Sequence, residues 1–236
     1  MKYHRQYICL LLRVISFVAN CLAENLILDI NFKKPIAVTD DAFLSFTLDP
    51  TTLQYNDFIK NIEKSTNLAQ SLAPAYIRLG GPQSNFYNSE VYSHKITDDP
   101  NDVHFGNQWT LMYQWAKNAG LDVIACISPH YIDNELKTDS SNPRNIIKLL
   151  SFCDRMGYNI SWQLGYECQT RCDLSGGELG QYVAKLHKML KTFPRYSNSL
   201  ITGPDIVAYK TVEQQEYLQD YLYSANNALS AITWHP

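Results

Sequence analysis

The sequence lacks most of the short motifs that mark common enzyme sites. Its six cysteines among 236 residues are too few for a disulfide-scaffold protein. No HExxH metal motif and no Gly-x-Ser-x-Gly nucleophile motif occurs in it. The first predicted strand is followed by Asp49-Pro50-Thr51-Thr52, where a dinucleotide-binding protein has a glycine-rich loop. We therefore expect no cofactor and no metal.

The N-terminal segment has the pattern of a secretory signal. Lys2 and Arg5 precede an apolar run, and Cys21-Leu22-Ala23 supplies small residues before a cleavage position. Arg13 interrupts the run, so no apolar stretch reaches the ~20 residues of a membrane span. We expect residues 1–23 to be a signal peptide and the product to be secreted, extracellular or lysosomal. The alternative is a first core helix.

The charge balance is mildly acidic. The chain has 20 basic and 23 acidic residues, a net charge of −3. Residues 1–23 contain three cations and no acidic residue, so the net charge without them is −6. Such a surface has no general attraction for a polyanion, and nucleic acid is not an expected partner.

Four cysteines remain after residue 23, an even number that suits an oxidising compartment. Cys168 and Cys172 are four positions apart, with Asp173 and His187 downstream. No second pair lies at zinc-finger spacing, so zinc is not favoured. We expect a disulfide or free thiols at these two positions.

Apolar β-type runs alternate with amphipathic helical patterns along the chain. Leu68 and Leu72 are predicted to extend the buried face of the first helix, and residues 83–107 to be a long loop that ends at Asn107. Asn142-Pro143 is predicted to open a later helix, and Ser175-Gly176-Gly177-Glu178 fits a capping box. The predicted strands are 42–48, 75–79, 121–127, 159–164, 200–202 and 231–234. This alternation indicates a parallel sheet, as in a doubly wound fold or a (β/α)8 barrel. The missing phosphate loop and the polar residues at strand ends favour the barrel. We predict that residues 24–236 form an incomplete (β/α)8 TIM barrel with about six of its eight strands.

Polar side chains follow several predicted strands at the ends where barrel active sites are built. They are Asp49, Arg78, Glu167, Asp205 and His235. Glu167 follows a buried-type strand directly, and a glycosidase needs a carboxyl group to protonate the leaving oxygen. Burial at a strand end is expected to raise the pKa of that group. The alternative is that Glu167 only pairs with a barrel arginine such as Arg78.

Five stretches, in order along the chain, support the glycosidase interpretation. They are Phe43–Asp49, Leu72–Gly81, Gly157–Gly165, Gly203–Asp205 and Thr233–His235. Together they resemble the heparanase family, glycoside hydrolase family 79. The resemblance implies a (β/α)8 barrel beside a small β-sandwich, and a retaining endo- or exo-β-glucuronidase. It also implies a glucuronic-acid-containing glycan such as heparan sulfate as the partner.

The same resemblance implies roles for individual residues. The family's fourth strand ends in Asn-Glu-Pro, where the glutamate is the acid/base, and Glu167 occupies that place. Tyr166 replaces the asparagine, whose amide binds the substrate's 2-hydroxyl, and Cys168 replaces the proline. Loss of that amide predicts weaker transition-state stabilisation. Tyr166, Asp49 and His235 are the expected substrate-binding residues.

Two departures from the family limit what is expected of this chain. The family's nucleophile is a glutamate after the seventh strand, and the sequence ends after the sixth. Its basic cluster is reduced to Lys210, so a plain glucuronide is favoured over long sulfated heparan. We expect a truncated β-glucuronidase that lacks its nucleophile. The alternatives are a secreted, inactive glycan- or protein-binding homologue, and a chain that is unstable alone because its sheet edges are unpaired.

Overall fold

The computed structural model describes residues 37–49, 60–82, 103–129 and 146–235, and also Lys33, Pro35, Phe58 and Ile132. The chain divides into two compact units, residues 1–38 and 39–236. The predicted signal peptide, most of the predicted loop 83–107 and the predicted helix start at Asn142-Pro143 lie outside the described residues. The few described residues of the first unit form no helix or strand.

The second unit is built on a six-stranded sheet. The strands are β1 (Phe46–Leu48), β2 (Ala75–Leu79), β3 (Leu121–Ile127), β4 (Ile160–Leu164), β5 (Ile201–Ile206) and β6 (Ala231–Trp234). Each pairs in parallel with the next one along the chain. A doubly wound sheet reverses its strand order at a switch point, whereas a barrel keeps sequential order. The predicted incomplete (β/α)8 barrel is therefore confirmed.

Helices occupy the connections between the strands. They are α1 (Ile62–Gln70), α2 (Val103–Asn118), α3 (Ile146–Arg155), α4 (Cys168–Arg171), α5 (Gly176–Leu190) and α6 (Val212–Ala225). Short 3-10 turns follow α5 at Pro194–Tyr196 and α6 at Asn226–Ala228. Within the described ranges, no helix is both long and apolar enough to cross a membrane.

Local sequence signals explain where several helices begin and end. The Ser175 hydroxyl accepts a hydrogen bond from the Glu178 amide, and the Glu178 side chain accepts one from the Ser175 amide. This is the predicted capping box before α5. Thr211 and Gln214 form the same arrangement before α6. Gly120 follows α2 with a φ of 73°, a left-handed conformation that glycine adopts without a steric penalty.

The two faces of the sheet carry different kinds of side chain. Ala75, Ile77 and Leu79 of β2 are buried, whereas Arg78 points to the other face. On β4, Trp162 is fully buried and meets Tyr196 edge-on, with ring centroids 5.6 Å apart. The apolar face therefore packs under the helices, and the opposite face is free to hold charged side chains.

Two strands differ from their predicted bounds by more than one residue. β1 begins at Phe46 instead of Ala42, and Phe43 before it is 67% exposed. β5 was predicted to end at Thr202 but continues to Ile206, because its parallel pairing with β6 runs through Gly203 and Pro204. A proline removes one donor from a strand without preventing its other side from pairing.

The predicted helical patterns also need two corrections. α2 begins at Val103, inside the stretch up to Asn107 that was predicted to be loop. Leu68 and Leu72 were predicted to extend the buried face of the first helix, but they are 65% and 45% exposed. Ala69 is the buried residue in that part of α1, so the face that contacts the core is turned away from Leu68.

Candidate active site

Glu167 reaches the carboxyl end of the sheet through an unusual turn. Gly165 follows β4 with a φ of 83°, and Glu167 itself has φ 49° and ψ 38°. A left-handed conformation is uncommon for a residue other than glycine. A Cβ added to Gly165 would lie 2.4 Å from Cys168 Sγ, so only glycine fits there. The turn leaves the Glu167 side chain 14% exposed, directly before α4.

A buried ion pair lies beneath Glu167. Arg78 Nη2 is 2.8 Å from Asp205 Oδ2, and these side chains are 15% and 4% exposed. Arg78 Nε also donates to Gln163 Oε1 at 2.9 Å. The Glu167 amide donates to Asp205 Oδ2 at 3.2 Å. The arginine of β2 therefore pairs with Asp205 on β5, and Arg78, the arginine named in the alternative interpretation, is not the ion-pair partner of Glu167.

His235 joins the two carboxylates. Its Nε2 lies 3.2 Å from Asp205 Oδ1, and its Nδ1 lies 3.8 Å from Glu167 Oε1. Its backbone amide donates to the Ile206 carbonyl at 2.7 Å, which continues the β5–β6 pairing. The Tyr166 ring meets the imidazole edge-on, with centroids 5.8 Å apart.

Arg171 on α4 is the nearest cation to Glu167, and the sequence prediction missed it. Its Nε lies 2.5 Å from Glu167 Oε2, and its side chain is 43% exposed. The guanidinium carbons of Arg171 and Arg78 both lie over the Tyr166 ring, 5.9 Å and 5.4 Å from its centroid. The four-residue spacing of Glu167 and Arg171 on a helix was the available signal. Arg78, Glu167, Arg171, Asp205 and His235 are called the strand-end cluster below.

The cluster lowers the pKa of Glu167. Burial raises this pKa, but hydrogen bonds from Arg171 and Tyr166 and the charges of Arg171 and His235 outweigh burial, so the net pKa lies below its ordinary value. The expectation of a raised pKa at this strand end is therefore wrong for the unliganded site. The physical reason is the ion pair with Arg171, which no strand pattern indicates.

The three predicted substrate-binding residues lie in two places. Tyr166 and His235 lie beside Glu167, and Tyr166 hydrogen-bonds its carboxylate. Burial, and then the hydrogen bond and charge of Glu167, raise the pKa of Tyr166. Asp49 follows β1 and packs on Gly81, where an added Cβ would lie 2.4 Å from Asp49 Oδ2. Their part in binding a substrate stays a prediction.

A disulfide joins Cys168 and Cys172. It links the first residue of α4 to the residue after its end, so it closes the turn that carries Arg171. The disulfide alternative for these two cysteines is confirmed. Cys126 and Cys153 are buried thiols, and Cys126 Sγ donates to the Gly165 carbonyl at 3.2 Å.

Comparison with curated proteins finds heparanases. Heparanase of Mus musculus is 25% identical over 266 residues, which cover 89% of this chain and 48% of that protein. Inactive heparanase-2 of Homo sapiens is 22% identical over 89% of this chain and 46% of its own length. The hyaluronoglucuronidase of Hirudo nipponia is 23% identical over 73% of this chain and 40% of its own. No family model matches the chain.

The fold has a counterpart among solved structures. The family 51 α-L-arabinofuranosidase AbfB of Bifidobacterium longum superimposes with a TM-score of 0.54 over 86% of this chain and 46% of that one. Its sequence identity is 14%, so the likeness concerns the fold alone. The chain spans about half the length of the curated relatives it matches. The chain is therefore similar to heparanases over 89% of its length, and its parallel sheet is of the barrel type.

Proposed function

We propose that this protein is a β-glucuronidase of the heparanase type, acting on glucuronides such as those of heparan sulfate, with Glu167 as its acid/base. The observation that carries the proposal is the largely buried carboxylate of Glu167 at the carboxyl end of β4, surrounded by the other residues of the strand-end cluster. Barrel enzymes build their active sites at this end of the sheet. The similarity to heparanases supports the choice of substrate.

The chemistry follows from a carboxyl group that can give and then take a proton. Protonated Glu167 donates to the glycosidic oxygen as the bond from that oxygen to the anomeric carbon breaks. The ionised Glu167 then removes a proton from the water that attacks the anomeric carbon. In the retaining course that the family resemblance implies, a second carboxylate forms the covalent intermediate between these steps.

The lowered pKa of Glu167 decides which pH suits the first step. The donor must be protonated, and the ion pair with Arg171 keeps Glu167 ionised down to a pH below its ordinary range. In the unliganded site the donor form is therefore populated only in acid. An acidic compartment such as the lysosome suits this requirement, and the N-terminal pattern and the Cys168–Cys172 disulfide suit a secretory route.

The proposal is tested with Glu167→Gln and an aryl β-glucuronide, in a full-length form of the protein that supplies the second carboxylate. Loss of the acid/base is expected to lower kcat/KM by at least about 100-fold, because general acid catalysis contributes roughly 10²–10⁴-fold. Glu216→Gln, an exposed glutamate on α6, is the matched control and is expected to keep full activity. Unchanged turnover in the Glu167 variant would refute its assignment as the acid/base.

A second candidate function is that of a glycan-binding homologue without hydrolysis. Two observations favour it: Tyr166 stands where the family has an amide, and Glu167 is held as an ionised partner of Arg171. The similarity to inactive heparanase-2 is in line with this alternative. Saturable binding of a heparan sulfate oligosaccharide, with no turnover of aryl glucuronides between pH 4 and 7, would favour it over the enzyme.

A further inference from the structure

Arg171 differs from the other arginine of the strand-end cluster in its exposure. The Arg171 side chain is 43% exposed, whereas Arg78 is 15% exposed. A guanidinium has five N–H donors, and within the described residues Arg171 uses Nε alone, for Glu167. Its two terminal nitrogens therefore remain for a ligand.

The other charged side chains of the cluster already contact one another or Glu167. The Glu167 carboxylate interacts with Arg171, the Tyr166 hydroxyl and His235, and its amide donates to Asp205. Arg78 lies over the Tyr166 ring. Asp205 neutralises Arg78 in a buried pair, and His235 contacts both carboxylates. Arg171 is therefore the cation that an anion approaching from solvent can contact and that can exchange its partner Glu167 for that anion.

The backbone keeps Arg171 close to Glu167 while its side chain stays long and exposed. The amides of Thr170 and Arg171 donate to the Glu167 carbonyl at 2.9 Å and 3.0 Å. The Cys168–Cys172 disulfide closes the same turn. A fixed backbone with a flexible guanidinium allows the group to exchange one carboxylate for another without moving α4.

We propose that Arg171 is a specificity-determining residue of this site, whose guanidinium exchanges the Glu167 carboxylate for an acidic group on the bound sugar. The inference rests on the proposed function, because the sugar is that of the proposed substrate. A planar guanidinium matches a carboxylate or a sulfate with two parallel hydrogen bonds. A neutral sugar has no group to replace Glu167 and leaves the ion pair intact.

The exchange also prepares Glu167 for its step. When Arg171 exchanges its partner, its hydrogen bond to Glu167 is lost and its charge is neutralised, so the pKa of Glu167 rises, while the Tyr166 hydrogen bond and the His235 charge continue to oppose the effect of burial. Glu167 takes one proton from solvent and becomes a carboxylic acid able to protonate the glycosidic oxygen. Binding of an acidic sugar is therefore coupled to uptake of one proton, at a pH between the two pKa values.

The test compares methyl β-glucuronide, methyl β-glucoside and methyl β-glucoside 6-sulfate on the full chain by calorimetry and carboxyl NMR. In the wild type we expect the glucuronide or the sulfate ester to bind about tenfold or more tightly than the glucoside, because hydrogen bonds to charged groups are strong. We expect the glucuronide to raise the pKa of Glu167 as it binds. A preference for the sulfate ester over the glucuronide would identify sulfate as the group recognised.

Three variants test whether the preference for an acidic sugar is due to Arg171. In Arg171→Gln the preference for an acidic sugar is expected to disappear and the pKa of Glu167 to be raised without ligand. Arg171→Lys is expected to keep part of the preference. Arg195→Gln is the matched control: Arg195 pairs with Asp154 at 3.2 Å and contacts Asn159, just before β4 and at its opposite end from Glu167. This control is expected to behave as the wild type.

Several results would overturn the inference. These are equal affinity of the wild type for glucuronide, sulfate ester and glucoside, no measurable binding of any of the three, or an unchanged preference in Arg171→Gln. Failure of the proposed hydrolysis is a separate outcome. If aryl glucuronides are not cleaved but the Arg171-dependent preference is present, the enzyme proposal fails and the recognition role of Arg171 stands.

Discussion

The buried pair between Arg78 and Asp205 allows a quantitative test of the strand-end cluster. The perturbation is Asp205→Asn, which removes the charge but suits the left-handed backbone at this position, where φ is 65°. Arg78 then lies 15% exposed without its carboxylate, although the hydrogen bond to Gln163 Oε1 at 2.9 Å remains. Removing one partner of a buried ion pair lowers the free energy of unfolding by about 3–5 kcal/mol. Because the hydrogen bond to Gln163 is retained, we expect a loss near the lower limit, about 3 kcal/mol.

The assay is urea unfolding at pH 7 followed by tryptophan fluorescence, to which the buried Trp115 and Trp162 contribute. A double-mutant cycle with Arg78→Met isolates the pair, since the double variant leaves no unpaired charge at these positions. We expect the double variant to lose about 2 kcal/mol less than the sum of the single losses. The control cycle uses Arg195 and Asp154, which are 34% and 38% exposed. An exposed pair of this kind is expected to couple by at most about 1 kcal/mol.

Additive losses at Arg78 and Asp205 would refute this account of the cluster. A coupling no larger than that of the Arg195–Asp154 control would do the same. Either result would mean that solvent or other groups neutralise Arg78, and that Asp205 is not its necessary partner. The placement of His235 and of the Glu167 amide against Asp205 would then need another explanation.

Two further predictions concern the helices that support the site. Gly180→Ala is expected to lower the free energy of unfolding by about 2 kcal/mol, because its Cβ would lie 2.5 Å from the Tyr221 carbonyl oxygen and force α5 away from α6. Gly177→Ala is the control, since its Cβ meets only Ser224 Oγ at 3.6 Å; an equal loss there in urea unfolding would contradict the packing argument. Ser175→Ala is expected to cost about 1 kcal/mol through loss of the N-cap, and an unchanged unfolding midpoint would contradict it.

Strands and helix ends could be predicted from the sequence where they depend on neighbouring residues in the chain. The bounds of β2, β3 and β6 agree with their predicted ranges, because mainly apolar runs bounded by turn or polar residues are typical of parallel strands. The capping box at Ser175 was also predictable, since it depends on residues three positions apart. The extension of β5 through Gly203 and Pro204 could not be predicted, because the low strand propensity of glycine and proline opposes it and only the pairing with β6 stabilises it.

The sequence by itself determined the order of strands and helices, and it identified Glu167 as a carboxylate at a strand end. Only the tertiary structure decided which charges meet. Arg78 and Asp205 are 127 positions apart, and the curvature of the sheet joins them. Arg171 lies four positions from Glu167, yet its effect depends on the left-handed turn that directs both side chains to one place. A pKa depends on these distances, so the sequence located the Glu167 carboxylate and the structure decided its protonation.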